Sequence, residues 1–370
     1  MSERSILFIG DYSSIHLRLL ISKMKDKYPH FRLDVLDVSG KPVSHCNSID
    51  NLYRFEYLYK YDWIVKRFKS IAWFVTVAIW YFRRKDKNKY NSLQLHYVST
   101  FHIYSKLFYK LCSLKQTAVV WGSDLYKCDN PSALTKIVKY LGNVNCSTGE
   151  VKKRLEEIVF SNNTHVNITN IRFGVMGLEH LSGHFKKENK NKNKNKIKVV
   201  LGYNASENQQ HLEIINSLRK FKFDNCEFVL PMGYGKSELY MNKVRCLLAD
   251  SELKYKIIEE HLNETQMVEL IRSTDVFVQL QKTDVLSAAM QEQLYAGNYV
   301  ITGNWLPYSV LDDKGIFYDK IQDTKEIGVK LEKIIKNKSY QLSKDKIEHN
   351  KKIIWDLSSF DKVISDWAFL

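Results

Sequence analysis

The stretch that most constrains the fold of this chain is residues 275–303, where apolar runs flank a helical pattern. Residues 275–280 predict a buried parallel strand, residues 286–296 a helix ended by Gly297, and residues 299–302 the next strand. In an open parallel sheet, ligands bind beyond the carboxyl ends of the strands, so the loop after the first strand is expected to line a pocket. The free backbone amides of the first helical turn favour an anion such as a diphosphate.

The same alternation of strands and helices opens the chain. Residues 5–9 and 32–38 read as strands, and residues 15–27 between them read as a helix. No Gly-x-Gly-x-x-Gly fingerprint follows the first strand, which disfavours a nicotinamide or flavin enzyme. The alternation continues to about residue 180 and starts again at residue 197. The predicted fold class is therefore α/β, with two doubly wound, Rossmann-like parallel-sheet domains.

Length and composition agree with two domains. At 370 residues and 44% hydrophobic, the chain can bury two cores of ordinary size. A run of Lys and Asn between the two halves predicts a solvated linker or loop, and it lacks the aromatic residues with which a nucleic-acid-binding tail would stack on bases. We expect a first domain over residues 1–185, the linker or loop over 186–198, a second domain over 199–345, and C-terminal helices over 346–370 that could cross back to the first domain.

Cysteine usage indicates the cellular compartment, and net charge indicates the kinds of binding partner. The six cysteines include no Cys-x-x-Cys pair and no cluster at zinc spacing, and the first residues lack the features of a signal peptide. Both observations predict a reduced, cytoplasmic location. The net charge of +15 predicts attraction to nucleic acid, acidic phospholipid or a phosphorylated substrate. Because no recognisable nucleic-acid-binding module occurs, nucleic acid is not the expected partner.

Residues 63–85 form the most hydrophobic segment of the chain. Its uncharged run, residues 70–82, is too short to cross a bilayer, which needs about 20 residues. Aromatic residues flanked by cations are typical of a segment that lies in the headgroup zone of an anionic membrane. The alternative is a buried helix of the first domain with basic ends. The residues expected at the membrane are Trp73, Phe74, Trp80, Tyr81, Arg83 and Arg84.

Two motifs carry a family resemblance. Residues 284–301, DVLSAAMQEQLYAGNYVI, resemble the Glu-x7-Glu motif of the retaining glycosyltransferase family 4, which has the GT-B fold. Asp284 stands where that family has its first Glu, and Glu292 stands at the second. The family's Arg and Lys for the donor diphosphate have no counterpart in residues 201–210. That turn and residues 230–235 are instead similar to the bacterial 4-acetamido-4,6-dideoxygalactose transferases of enterobacterial common antigen synthesis.

The resemblance implies two domains facing a cleft and a metal-independent hexosyltransferase. The donor would be a nucleotide-sugar, and the acceptor a polyprenyl-diphosphate-linked surface glycan such as O-antigen or capsule, reached from the inner face of the cell membrane. Glu292 would accept hydrogen bonds from the ribose hydroxyls, and Asp284 would point at the donor sugar. No metal or other cofactor is expected. The other donor-binding residues expected are Gly202, Asn204, Ser206, His211, Gly233, Gly235, Leu286, Ser287 and Ala288.

The catalytic base has three candidates in the first domain. His16 and Asp11 follow the first strand, where an imidazole near neutrality suits removal of a proton from a sugar hydroxyl. Asp124 follows Trp121 at the end of a later strand. Each could equally be an ordinary turn or helix-start residue. Two other functions are compatible with the same fold, a sugar-nucleotide epimerase and a non-catalytic partner subunit.

Overall fold

The computed structural model describes residues 4–43, 47–126, 130–160, 166–184, 196–235 and 237–370. Most of the predicted linker, residues 186–195, lies outside these ranges. The chain divides into two compact units, one of Met1–Gly174 with Val363–Leu370 and one of Val175–Lys362. Each unit is built on one parallel sheet, as the sequence predicted.

The first unit carries a seven-stranded sheet in the order β3-β2-β1-β4-β5-β6-β7 within the described residues, with every pair parallel. Its strands are β1 Ser5–Gly10, β2 Arg32–Asp37, β3 Asn51–Tyr53, β4 Tyr90–His96, β5 Ser113–Val120, β6 Asn143–Cys146 and β7 Asn167–Thr169. Its helices are α1 Ile15–Lys27, α2 Tyr57–Lys60, α3 Asp62–Arg67, α4 Lys69–Arg83, α5 Lys106–Cys112, α6 Ser123–Tyr126, α7 Pro131–Leu141 and α8 Gly149–Phe160. A 3-10 turn spans Thr100–Ile103.

The second unit carries a six-stranded parallel sheet in the order β10-β9-β8-β11-β12-β13, again counted over the described ranges. Its strands are β8 Ile197–Leu201, β9 Cys226–Pro231, β10 Tyr255–Ile258, β11 Val276–Gln279, β12 Tyr299–Gly303 and β13 Asp319–Ile321. Its helices are α9 Met176–His184, α10 His211–Leu218, α11 Glu238–Ala249, α12 Glu264–Ser273, α13 Ala288–Tyr295, α14 Ser309–Asp313, α15 Ile327–Lys336 and α16 Lys344–Ser358, and α17 Phe360–Ala368 begins here and ends in the first unit.

The boundary between the units falls earlier than residue 185. Helix α9 belongs to the second unit because Val175, Leu178 and Leu181 pack in a core cluster of that unit. Residues 363–370 belong to the first unit, where the Trp367 indole donates a hydrogen bond to the Arg172 carbonyl oxygen at 2.7 Å. The C-terminal segment 346–370 is thus divided between the two units.

Residues 275–303 fold as predicted, with small shifts in the ends of the strands and of the helix. Strand β11 is buried along its whole length, α13 begins after the cap residue Ser287, and Gly297 has a φ of 76°. A left-handed residue at this point suits glycine because a Cβ would be strained there. Beyond this stretch, Asp319–Ile321 adds a further parallel strand beside β12. None of the helices in the described ranges combines the length and apolarity needed to cross a membrane.

Candidate functional site

Asp284 lies in the loop that follows β11 in the second unit. Its carboxylate accepts a hydrogen bond from the hydroxyl of Tyr308, which comes from the segment after β12. Burial raises the pKa of Asp284, and the Tyr308 hydroxyl opposes that rise. The segments after two adjacent strands therefore join at one carboxylate at the carboxyl edge of the sheet, where an open α/β sheet binds its ligands.

Glu292 lies in α13, eight residues after Asp284 in the sequence. Burial raises the pKa of its carboxyl group to about 7. The carboxylate abuts the first turn of α9, where a Cβ in place of the Gly177 hydrogen would overlap its oxygens. Carboxyl groups with strongly raised pKa values cluster at binding and catalytic sites, which makes Glu292 a candidate site residue.

The two glycine turns of the sequence analysis lie side by side. Gly202 ends β8 with a φ of 63°, and Gly235 has a φ of 73°. The Ala205 amide donates to the Tyr234 carbonyl oxygen at 2.8 Å, which joins the turns. Asn204 and Ser206 act within the first turn, since the Asn204 side chain accepts from the Ser206 amide at 2.9 Å. The two turns therefore lie together after β8 and β9.

Gly233 has a packing reason to be glycine. A Cβ there would overlap the backbone of Glu260 and His261. The backbone that approaches Gly233 closely is therefore that of the chain itself, and the absence of a side chain does not by itself indicate a ligand.

The predicted anion site is at the start of α13. The Ser287 hydroxyl accepts from the Met290 amide at 3.3 Å, so Ser287 caps the helix. Leu286 is partly buried and packs against a core cluster, whereas Ala288 is exposed at the first helical position. Ala288, four residues after Asp284, is therefore the exposed position at which this helix could meet a diphosphate.

The position of His211 does not fit the expectation that it binds the donor. Its side chain is fully buried at the start of α10, packed against the Gly202 turn and beside Tyr240. Burial lowers the pKa of His211 to about 4, so the ring is neutral at pH 7. A neutral ring inside the core supports the turn rather than contacting a phosphate.

The first unit contains a cavity of about 550 Å³ at the carboxyl ends of β1 and β4. Asp11 and His16 line it, as expected for residues that follow β1. Partial burial against Trp121 and Phe173, whose rings lie 5.8 and 5.7 Å from the imidazole, lowers the pKa of His16. Asp11 accepts from the Ser13 amide at 2.8 Å and lies 3.9 Å from the Lys41 ammonium.

Asp124 is a structural residue instead of a base in the cavity. Its buried carboxylate accepts from the amides of Trp121, Gly122 and Val98 at 2.9, 2.9 and 3.0 Å. Burial raises its pKa to about 6, and these amide hydrogen bonds act in the opposite direction. Because its oxygens face three backbone donors, Asp124 holds together the loops after β4 and β5.

His96 is a cavity residue that sequence reasoning missed. The Gln94 amide group donates to the Trp367 carbonyl oxygen at 2.8 Å, which turns its oxygen toward Nε2 of His96, 3.3 Å away. Nε2 therefore carries the proton, and burial lowers the pKa of His96 to about 3. Nδ1 is buried with no hydrogen-bond partner among the described residues. A neutral ring with a free acceptor nitrogen lines this cavity.

Solved structures share this architecture over nearly the whole chain. A sucrose-phosphate synthase from Thermosynechococcus elongatus superposes with a TM-score of 0.70 at 9% identity, over 99% of this chain and 98% of the other. A glycosyltransferase from Rickettsia africae does so with a TM-score of 0.67 at 13% identity, over 100% and 98%. The E. coli trehalose-6-phosphate structure bound with UDP-2-fluoro glucose has a TM-score of 0.68 at 9% identity, over 99% and 98%.

The fold is that of the GT-B glycosyltransferases. No protein-family model matches the sequence. No curated protein matches it either. Identities this low establish the GT-B fold alone, so the activity rests on the residues of the site.

In this GT-B chain, polar and aromatic residues outside the motifs complete the second unit's site. The Gln281 side-chain oxygen accepts from Gln209 at 2.9 Å and from the Tyr203 hydroxyl at 3.2 Å. The Trp305 indole donates to the Gln281 carbonyl oxygen at 2.8 Å. These residues follow strands β8, β11 and β12, and a polar or aromatic residue just after a buried strand was the signal that could have found them.

The membrane prediction was wrong for three of its six residues. Trp73 and Trp80 are each only 2% exposed, and the Trp73 indole donates to the Tyr109 hydroxyl at 2.8 Å. Arg84 is buried and donates to the carbonyl oxygens of Lys87 and Asn88. The Trp73–Trp80 side of α4 faces Tyr109, Phe101 and Tyr53. Phe74 and Arg83 are exposed, and Tyr81 is half-buried.

Proposed function

We propose that this GT-B protein is a glycosyltransferase that moves a hexose from a nucleotide-sugar to a lipid-linked glycan. The observation that carries the proposal is the pair of partly buried carboxyl groups, Asp284 and Glu292, around the start of one helix at the carboxyl edge of the second unit's sheet. Their pKa values are both raised by burial. Such carboxyl groups are suited to accept hydrogen bonds from the neutral hydroxyl groups of the sugar and of the ribose.

In this proposal the second unit binds the donor. The start of α13 at the exposed Ala288 faces the diphosphate, Glu292 accepts from the ribose hydroxyls, and Asp284 orients the donor sugar. The UDP-2-fluoro glucose bound in the E. coli neighbour supports a uridine nucleotide as the first donor to test. The leaving diphosphate is stabilised by backbone amides, and we expect no requirement for a divalent metal.

The acceptor in this proposal enters the first unit's cavity. His96 has a free acceptor nitrogen, and His16 and Asp11 line the same space. A hydroxyl of the acceptor glycan hydrogen-bonds to one of these groups as it attacks the donor sugar. The acceptor glycan is carried on a polyprenyl diphosphate, so the enzyme works as a peripheral protein at the cytoplasmic face of the membrane, in the synthesis of O-antigen, capsule or a related polysaccharide.

Calorimetric titration with UDP, GDP and dTDP, followed by incubation with the corresponding sugar nucleotides, tests the proposal. Nucleotide release that requires a prenyl-diphosphate-linked acceptor is the expected result. The Asp284→Asn/Glu292→Gln variant should lose both readouts, while Glu332→Gln, an exposed change on α15, should lose neither. Interconversion of the sugar nucleotide without an acceptor would identify an epimerase. Absence of any nucleotide binding would identify a non-catalytic subunit.

A further inference from the structure

Helix α4 is apolar on two opposite sides, which is unusual for a helix at the surface of a domain. Its inner side buries Trp73, Thr76, Val77 and Trp80. At helical spacing on the other side, Ile71 and Phe82 are 59% and 71% exposed, and Phe74 and Val75 are exposed between them. A helix that is hydrophobic all round is normally covered on all sides. We therefore expect the exposed outer side of α4 to contact an apolar environment outside this chain.

Helix α5 extends this surface. The Phe108 ring lies 5.7 Å from Phe74 and 6.3 Å from Phe82, so it connects the two helices. Leu107 and Leu111, one turn apart on α5, are exposed. Several exposed apolar residues on two adjoining helices are typical of an interaction site, whereas single exposed apolar residues are not. The exposed apolar face is defined by Ile71, Phe74, Val75, Phe82, Leu107 and Leu111.

All charges in the two segments that bear the face are positive. No Asp or Glu occurs in residues 63–85 or 97–123. Exposed cations flank the face on both helices, namely Arg83 and Lys85 at the end of α4 and Lys110 on α5. A second copy of the chain is a poor occupant, because a two-fold contact through this face would bring cations against cations. Charge complementarity requires an anionic surface with an apolar layer beneath it.

We propose that the exposed apolar face docks onto an anionic phospholipid bilayer. The part of this face on α4 runs from residue 71 to residue 82 and is about 16 Å long. The helix therefore lies in the membrane plane, with Phe74 and Phe82 at the level of the acyl boundary. Arg83, Lys85 and Lys110 then meet lipid phosphates. This deepens the membrane location proposed above and rests on it for its biological role, but the binding surface itself does not depend on the donor or the acceptor.

Vesicle sedimentation of the full-length protein tests the docking. We expect binding to vesicles of phosphatidylcholine with 30% phosphatidylglycerol, at least ten-fold weaker binding to phosphatidylcholine alone, and weakening by 0.5 M salt. The Phe74→Ser/Phe82→Ser variant should lose at least ten-fold in affinity. The Leu239→Ser/Val329→Ser variant changes two exposed apolar residues of the second unit and should bind as the parent does. All four substituted residues are exposed, and circular dichroism checks that each variant is folded.

The outcomes separate this proposal from the proposed function. Nucleotide titration reads the second unit, so a protein that binds vesicles but no nucleotide would overturn the transferase and leave the docking surface standing. A Phe74→Ser/Phe82→Ser variant that binds vesicles as the parent does would overturn the surface. So would a parent that does not bind anionic vesicles, which would point to an acidic protein partner. A parent dimer that this variant converts to a monomer would also overturn it.

Discussion

Replacement of Glu292 by Gln should have opposite effects on stability and on binding. In the folded protein, burial raises the pKa of this carboxyl group to about 7 from an ordinary value of 4.5. The folded state therefore binds the proton more tightly than the unfolded chain does. Below pH 4.5 both states are protonated and the group contributes no difference, whereas above pH 7 both are ionised and the folded state bears the cost of the buried charge.

The size of this cost follows from the two pKa values. One pKa unit corresponds to 1.36 kcal/mol, so ionised Glu292 lowers the free energy of unfolding by about 3 kcal/mol at pH 8. Gln has nearly the same shape and remains neutral, so the Glu292→Gln variant should be more stable than the parent at pH 8 and nearly equal to it at pH 4. If Glu292 accepts from ribose hydroxyls, the same variant should bind its nucleotide about 1–3 kcal/mol more weakly.

Thermal unfolding at a series of pH values measures the change in stability, and calorimetric titration measures the change in nucleotide affinity. We expect the difference in Tm between variant and parent to grow from pH 4.5 to pH 7 and then to level off. Glu332→Gln, an exposed substitution in the same unit, serves as the control and should show no such pH dependence. A constant difference in Tm across this range would refute the raised pKa. Unchanged nucleotide affinity would refute a role for Glu292 in the donor site.

Other predictions concern both units. Tyr308→Phe removes the hydroxyl that opposes the rise in the pKa of Asp284, so the acid limb of the nucleotide-binding pH profile should move to higher pH; an unmoved limb would contradict the coupling. His96→Gln should lower kcat/KM for the acceptor at least ten-fold and leave nucleotide titration unchanged, and equal loss in both would indicate misfolding. Both carboxylate oxygens of Asp124 accept from backbone amides, so Asp124→Asn would place an NH2 group against N–H donors. This loss should outweigh the relief of the buried charge and cost about 1–3 kcal/mol of stability, with activity following the folded fraction; a stable but inactive variant would restore Asp124 as the base. Activity should survive EDTA, and recovery only with Mg²⁺ or Mn²⁺ would contradict metal independence.

Sequence periodicity located the second unit's sheet edge well because its signals are local. A buried run, a capped helix and a left-handed glycine follow one another within residues 275–303, and each is decided by neighbours in the chain. Tyr308 was missed because its partner Asp284 is 24 residues away in the sequence. The pairing of the segments after β11 and β12 is a tertiary contact, and no local pattern encodes it.

Polar residues at strand ends were harder to interpret because exposure is not a local property. Asp124 and His211 each follow a strand or a turn at the carboxyl edge of a sheet, as a ligand-binding residue would. Asp124 instead meets the backbone amides of two loops, and His211 lies under a glycine turn. His96, the last residue of β4, was not considered, although it lines the cavity.

The membrane segment shows how residue type and residue position can point in different directions. Trp73 and Trp80 are seven residues apart and therefore lie on one side of α4, together with Thr76 and Val77. Tryptophan is favoured at membrane interfaces because its indole N–H can reach a polar group, but the Trp73 indole finds that group in Tyr109. Ile71, Val75 and Phe82 occupy the opposite side. Because both sides are apolar, periodicity alone does not identify the covered one. The covered side carries both indoles, of which Trp73 has the Tyr109 acceptor, whereas Nε1 of Trp80 has no partner among the described residues. The opposite side, which carries no indole, is the face proposed to dock onto the bilayer.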